Sequence, residues 1–144
     1  MSKLDENYIV GLVDGEGSFT AYVKNPNMPN QTKRRVIVEP RFYIKLVAKD
    51  KDILYQLKTF FGCGNVYFQR DSRPNHQDCY RYEVTNRQDL KKIIIPFFKT
   101  HKLRFETKKK DFLIFSNIVD MVSKGSHLTN NGLRRIHELK TQMH

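Results

Sequence analysis

Apolar positions recur along the chain with two alternating periods. Over residues 4–13 they fall at helical spacing behind Asp5 and Glu6, acids that suit a first turn, and predict a helix. Residues 18–24 then alternate strictly, with Phe19, Ala21 and Val23 on one side and Ser18, Thr20, Tyr22 and Lys24 on the other, which predicts a strand with one polar face. A Pro- and Asn-rich loop over residues 25–30 leads to a second alternating run. In it Val36, Val38, Phe42 and Ile44 oppose Arg35, Ile37, Glu39, Arg41, Tyr43 and Lys45. Pro40 predicts a bulge or an edge, because it has no N–H to give a neighbouring strand.

Residues 51–61 return to helical spacing, with Ile53, Leu54, Leu57, Phe60 and Phe61 as the apolar face and Gly62 as the stop. A second strand pair is predicted at residues 65–70 and 80–85, joined by a polar connection. There Val66, Phe68, Tyr80, Tyr82 and Val84 look inward, and Asn65, Tyr67, Gln69, Arg81 and Glu83 outward. Asn86 can cap a helix running to about Ile95, where Pro96 intervenes. Thr107 can cap a helix through Val122, and Thr129 a last one bearing Leu133, Ile136, Leu139 and Met143. No internal repeat is visible. The expected architecture is therefore one α+β domain over residues 1–144: an antiparallel four-stranded sheet backed by helices on one face, with further helices at the C-terminus.

Charge changes the reading of the uncovered face. With 26 Lys and Arg against 15 Asp and Glu, the formal charge of +11 points to a polyanion, and nucleic acid is the usual one. An anionic membrane surface and simple solubility are the competing readings, but no basic amphipathic helix or lipidation motif supports the former. Lys24, Arg35, Arg41, Lys45 and Arg81 share the outward face with Asn65, Tyr67 and Gln69. Arg reads guanine and Asn or Gln reads adenine in the major groove, so these side chains form a base-reading inventory. A single-stranded RNA binder of α+β type would need exposed rings on central strands, and only Tyr22, Tyr43 and Tyr67 qualify. No stretch is long and apolar enough to span a bilayer and the first residues lack a signal-peptide core, so an intracellular, non-secreted protein is expected. Cys63 and Cys79 are expected as free thiols, and with His76 and His101 they lack zinc-ligand spacing.

The chemistry concentrates in residues 8–19, Tyr-Ile-Val-Gly-Leu-Val-Asp-Gly-Glu-Gly-Ser-Phe. Asp14 and Glu16 fall where the first helix ends, beside unpaired carbonyls that already carry negative charge. Something positive should neutralise them, and a hard divalent cation held by carboxylate and carbonyl oxygens would do so. A plain helix cap with solvated acids is the alternative. Gly11 weighs against it, since glycine inside a helix costs about 1 kcal/mol relative to Ala and here would permit close approach of another backbone.

Residues 9–17, reading I-V-G-L-V-D-G-E-G, resemble the signature of the LAGLIDADG homing endonucleases. The resemblance extends more loosely to Phe42-x-Ile44, Lys49-Asp50, the Phe-Phe-Gly-Cys-Gly ending at Gly64 and His127-Leu-Thr-x-x-Gly-Leu-x-x-Ile136. It implies the αββαββα order with a curved sheet laid in the DNA major groove, and site-specific cleavage of double-stranded DNA. Because the signature occurs once, it implies a homodimer joined through Tyr8, Gly11, Leu12 and Gly15. Glu16 is then the metal ligand and catalytic acid, with the Gly15 carbonyl beside it, and Asp14 closes the helix. The implied cofactor is Mg²⁺, two or three ions per dimer centre, with Mn²⁺ or Ca²⁺ able to replace it in binding. A lysine near the scissile phosphate is implied too; Lys102 fits better than Lys99 or His101. The Lys108-Lys109-Lys110 run reads as a phosphate contact or a solvated face. Leu46 departs from the pattern, standing where family members often carry a glutamine. Ser18, Thr20, Tyr22, Lys24, Arg35, Ile37, Glu39, Arg41, Tyr43, Lys45, Asn65, Tyr67, Gln69, Arg81 and Glu83 form the expected DNA surface. Strands of about ten residues cover roughly 33 Å, so two protomers would read about 20 base pairs of near-palindromic sequence, and the resemblance implies central cleavage that leaves 3′ overhangs. An RNA maturase or a non-cleaving DNA binder is the alternative on the same fold. The expected location is the cytoplasm or nucleoid of a prokaryote, or an organelle matrix.

Overall fold

A computed structural model describes residues 4–26 and 36–144. Helix α1 (Glu6–Glu16) begins at Asp5, whose carboxylate accepts from the Asn7 N–H at 2.6 Å and the Tyr8 N–H at 3.3 Å. That carboxylate satisfies donors the first turn leaves unpaired. The far end differs from expectation. The helix does not stop at Val13 but runs through Asp14 and Gly15 to Glu16, and the Gly17 N–H closes it on the Val13 carbonyl. Asp14 thus does not terminate α1; its side chain is used elsewhere.

Strands β1 (Gly17–Val23), β2 (Val38–Val47), β3 (Asn65–Gln69) and β4 (Cys79–Val84) form one antiparallel sheet in the order β1-β2-β4-β3. Alternate residues are buried as the sequence predicts: Phe19 and Ala21 in β1, and Val38, Pro40, Phe42 and Ile44 in β2. Pro40 pairs with Ala21, whereas β4 reaches only as far as Phe42. One flank of Pro40 therefore has no strand beside it, and the edge expected of a proline lies within an otherwise central strand. Ile37 breaks the alternation. It lies ahead of β2 and packs against the core instead of facing outward. Arg35 lies outside the described residues.

Helix α2 (Lys51–Phe61) ends at Gly62, whose φ of +70° is the left-handed geometry that glycine adopts without strain. Asn86 caps α3 (Arg87–Asp89) as predicted, accepting from the Gln88 and Asp89 N–H groups. The chain then passes Pro96 without stopping. A π-helical turn, Leu90–Ile94, joins α3 to α4 (Ile95–Thr100), with the Ile95 N–H bonded to the Leu90 carbonyl. Pro96 thereby falls just where the π turn gives way to α4, and the widened turn lets the helix pass it without a break. Helices α5 (Glu106–Ser123) and α6 (Asn130–Thr141) complete the chain.

The helices cover one face of the sheet. Phe19 is the centre of the larger core, with ring centroids 5.0 Å from Phe42, 5.2 Å from Phe112, 5.3 Å from Phe115 and 5.6 Å from Phe98. A smaller cluster of Ala21, Val38, Ile114, Ile118, Val122 and Ile136 seals α5 and α6 against the far end of β1. Phe68, on edge strand β3, has inward parity yet stays 55% exposed beside Tyr80.

α5 lacks the local cap expected of Thr107. That residue lies inside the helix, and Phe105 occupies the cap position with no side-chain bond. The missing acceptor is Asp14, only 5% exposed, which takes the Arg104 N–H at 3.1 Å on each oxygen and the Phe105 N–H at 3.1 Å. A carboxylate disfavoured at the C-terminal end of α1 is favoured at the N-terminal end of α5.

Two substitutions test this account. Asp14→Ala leaves two backbone N–H groups without their acceptor and should reduce unfolding free energy by roughly 2–4 kcal/mol in urea titrations, with Asp14→Asn recovering part of the loss. Gly132→Ala would set its Cβ 1.7 Å from the Ser126 carbonyl oxygen. It should cost about 1–3 kcal/mol, read as a lower thermal midpoint.

Candidate active site and nucleic-acid interface

Asp14 and Glu16 are separated by two residues, which at about 100° per residue points them to opposite sides of α1. Asp14 turns into the protein. Glu16 is exposed and enters none of the ion pairs among the described residues. Tyr8, Gly11, Leu12 and Gly15 share a stripe at spacings of three and four residues. Tyr8 is half-exposed, Gly11 and Gly15 are exposed, and a Cβ built on either glycine meets nothing within 4 Å. The opposite stripe, Ile9, Val10, Val13 and Asp14, is buried. Thus α1 offers the solvent a shallow groove of small residues that ends at a free carboxylate.

A cation does stand beside this end, though not the one the sequence favours. The Lys108 ammonium donates to the Gly17 carbonyl, one residue past Glu16. It is the one half-buried member of the Lys108-Lys109-Lys110 run, and Lys109 pairs instead with Glu106 at 3.2 Å. Lys102 is exposed and lines an apolar groove with Phe98, Leu103, Phe112 and Leu113. Lys108 lies four and seven residues before Phe112 and Phe115, on the buried stripe of α5, so helical spacing turns it inward where its two neighbours stay exposed. Leu46 lies two residues beyond Ile44, the partner of Gly17, and so falls on the Glu16 side of the sheet. Its side chain packs half-buried on the core.

As a metal centre, one protomer is incomplete. Among the described residues no cluster of three or more His, Cys, Asp or Glu could hold an ion. Glu16 and the carbonyls at the end of α1 are oxygen donors of the kind hard divalent cations prefer, but with Asp14 committed to α5 a chain supplies one free carboxylate. The donors fit such an ion only if a second half contributes an equivalent set.

Register orders the uncovered sheet face into rows. Ser18, Tyr43, Glu83 and Asn65 lie side by side across the four strands, Lys45, Arg81 and Tyr67 form the next row, and Thr20 faces Arg41. Tyr22 lies opposite Glu39, Gln69 closes β3, and Lys24 follows the end of β1. Directly opposite residues are about 5 Å apart, so the rows are continuous polar surfaces. Their charges brace one another. Arg41 bonds Glu39 at 2.6 Å and Glu83 at 3.1 Å, while Arg81 bonds Glu83 at 3.2 Å and lies 3.5 Å above the Tyr43 ring. The bond to Glu39, then Glu83's charge, raise the Arg41 pKa above its ordinary value. The Arg81 Nε is buried without a partner among the described residues. The Lys140 ammonium reaches around the β1 edge to the Thr20 hydroxyl at 3.0 Å.

Known proteins share this arrangement. Residues 9–119 match the model of the family described as LAGLIDADG endonuclease. A curated relative, probable intron-encoded DNA endonuclease 1 of Mycosarcoma maydis, is 34% identical over 113 residues, 78% of this chain and 36% of the relative. The chain thus spans about a third of that relative's length. The solved homing endonuclease I-TnaI superposes with a TM-score of 0.80 at 37% identity, covering 99% of this chain and 89% of that one. I-SmaMI, bound to uncleaved DNA target in the presence of calcium ions, superposes with a TM-score of 0.81 at 32% identity over 98% of this chain and 45% of its own. With the family model covering most of its length, from the signature helix into α5, this chain belongs to the LAGLIDADG endonucleases.

Proposed function

We propose that the chain is one half of a site-specific double-stranded DNA endonuclease, two copies meeting through α1 to complete a Mg²⁺-dependent centre. The observation that carries this reading is the end of α1, where a lone exposed Glu16 adjoins the open stripe of Gly11 and Gly15. A second copy docked on that stripe brings a second Glu16 to the same place, and the small residues let the two backbones approach closely. The near-complete overlap with I-TnaI supports a unit of this size, whereas I-SmaMI is covered over less than half its length.

Glu16 and the Gly15 carbonyl from each copy would hold the ions, which lower the pKa of attacking water and offset charge developing on the phosphate. Lys108, held against the Gly17 carbonyl, keeps a positive charge near the end of α1 and in this reading takes the role beside the scissile phosphate. Lys102 is the other lysine assigned this role from sequence. The sheet face supplies recognition. Arg41 and Arg81 exchange their glutamate partners for base edges or phosphates as DNA settles on it, with Ser18, Thr20, Tyr22, Lys24, Glu39, Tyr43, Lys45, Asn65, Tyr67, Gln69 and Glu83 around them. Curvature of that sheet in the major groove, a near-palindromic target of about 20 base pairs and central cleavage belong to the same reading. The intron-encoded relative supports an intron origin and work inside a prokaryotic cell or an organelle. Leu46, apolar where a polar neighbour of the centre is expected, favours one second reading: a descendant that binds DNA or intron RNA without cutting it.

Cleavage of a randomised duplex library with Mg²⁺ or chelator separates the readings. Metal-dependent cutting at one sequence is expected, reduced roughly 10²–10³-fold or more in Glu16→Gln with duplex binding retained. Binding by both proteins without cutting would instead support the non-cleaving reading. The same assay ranks the lysines: Lys108→Met should lose cleavage and Lys102→Met should keep it, and the reverse would return the role to Lys102. Gly11→Leu has room in the isolated protomer, so it should leave the thermal midpoint intact while light scattering reports monomers. An unaltered dimer would place the interface elsewhere.

A further inference from the structure

At the outer end of β1, opposite the end that joins α1, a cavity of about 390 Å³ opens between the start of α6 and the residues following the strand. Among the described residues its lining includes Lys24, Arg134, His127, Thr129 and Asn130, and no acid. His127 is 7% exposed, and its Nδ1 is buried without a hydrogen-bond partner among the described residues. A polar atom in that state costs about 1–3 kcal/mol, so it marks a place where a partner is missing. Burial, and then the charge of Arg87, push the His127 pKa down. The first turn of α6 adds the positive end of a 12-residue helix, whose Gly132 N–H is already taken by the Thr129 hydroxyl at 3.0 Å. The turn over Ser126–Leu128 is pressed onto Gly132, which holds His127 in place.

Two cations, a buried unpartnered histidine nitrogen and a helix N-terminus, with no carboxylate among the described lining residues, suit a compact anion. Lys24 continues the row of Ser18, Thr20 and Tyr22 on the uncovered face of β1, so the cavity opens where that face ends. We propose that it seats a backbone phosphate of the bound duplex, Lys24 and Arg134 neutralising the charge and His127 with the α6 N-terminus fixing its oxygens. This rests on the reading of the sheet as a DNA surface. Seven residues from Gly17 to Lys24 at ~3.3 Å each set the site roughly 23 Å from the end of α1, or about seven base pairs from the centre of the target. Such a contact positions the duplex and reads no base.

The test uses Lys24→Gln and Arg134→Gln, neither residue being buried, with Lys58→Gln on α2 as the equal-charge control. Their thermal midpoints should match wild type. On a random-sequence duplex, the slope of log affinity against log salt should become shallower by about 0.9 for each phosphate no longer neutralised in the two cavity variants, and stay unchanged in the control. On the selected target, a neutral methylphosphonate about seven base pairs from the centre should weaken wild type, and weaken Arg134→Gln by less. Equal slopes, or an equal methylphosphonate penalty in wild type and Arg134→Gln, would overturn the site while leaving the DNA reading intact. Failure of wild type to bind any duplex would remove both. His127 ring signals that shift with millimolar inorganic phosphate and not with duplex would overturn the proposal in favour of a free-anion site.

Discussion

The buried carboxylate of Asp14 stands at the C-terminal end of one helix and the N-terminal end of another, and the geometry around Glu16 depends on that double position. Against α1 alone it would be repelled by the last carbonyls; its three bonds to the Arg104 and Phe105 N–H groups reverse the balance. The bonds join residues some 90 positions apart and anchor the chain just ahead of α5. Lys108, in the first turn of α5, is thereby brought to the Gly17 carbonyl. Two acids two residues apart consequently have unlike tasks. One is consumed in positioning, and the other is left free because the first is consumed.

The sheet face follows a different logic. Its arginines are paired within the protein, in largely buried contacts among Arg41, Arg81, Glu39 and Glu83 whose side chains are 16–29% exposed. Breaking such pairs leaves a partly buried glutamate behind, so phosphates or base edges must supply bonds of comparable strength in exchange. Meanwhile they hold long side chains near one conformation, and the stack of Arg81 on Tyr43 does the same. The face is ordered before any ligand arrives, and less entropy is lost when one does.

Much of this was legible in the sequence, and the exceptions have physical reasons. Period-two alternation identified which side of each strand faces the helices, because parity is local. It could not show how far the helices extend, so Phe68 has the right parity and no cover, while Ile37, just outside β2, has outward parity and packs inward. Local cap chemistry located α3 at Asn86 and α6 at Thr129. It failed at Thr107, where the cap comes from Asp14. Lys108 was within reach of spacing, standing four and seven residues before Phe112 and Phe115 on the apolar stripe of α5; what spacing could not supply was its acceptor, the Gly17 carbonyl. The signature announced the α1 stripe and Glu16. The Lys24–Arg134–His127 cavity was invisible, being assembled from three separate segments.

The π turn at Leu90–Ile94 bears on the history of this segment. Its bonds enclose one residue more than an α-turn, so every side chain beyond it comes round at a different angle than in an uninterrupted helix. Phe98, whose ring meets Phe19, Phe42 and Phe112, is one of them. Removing one residue between Leu90 and Ile94 would let the stretch close as a regular helix, but it would rotate Phe98 out of that cluster and leave Pro96 inside an uninterrupted α-helix, where its missing N–H is felt. Shorter and longer forms of this segment are therefore separate packing solutions. A lineage that changes the length here must exchange its proline and its aromatic partners in the same step.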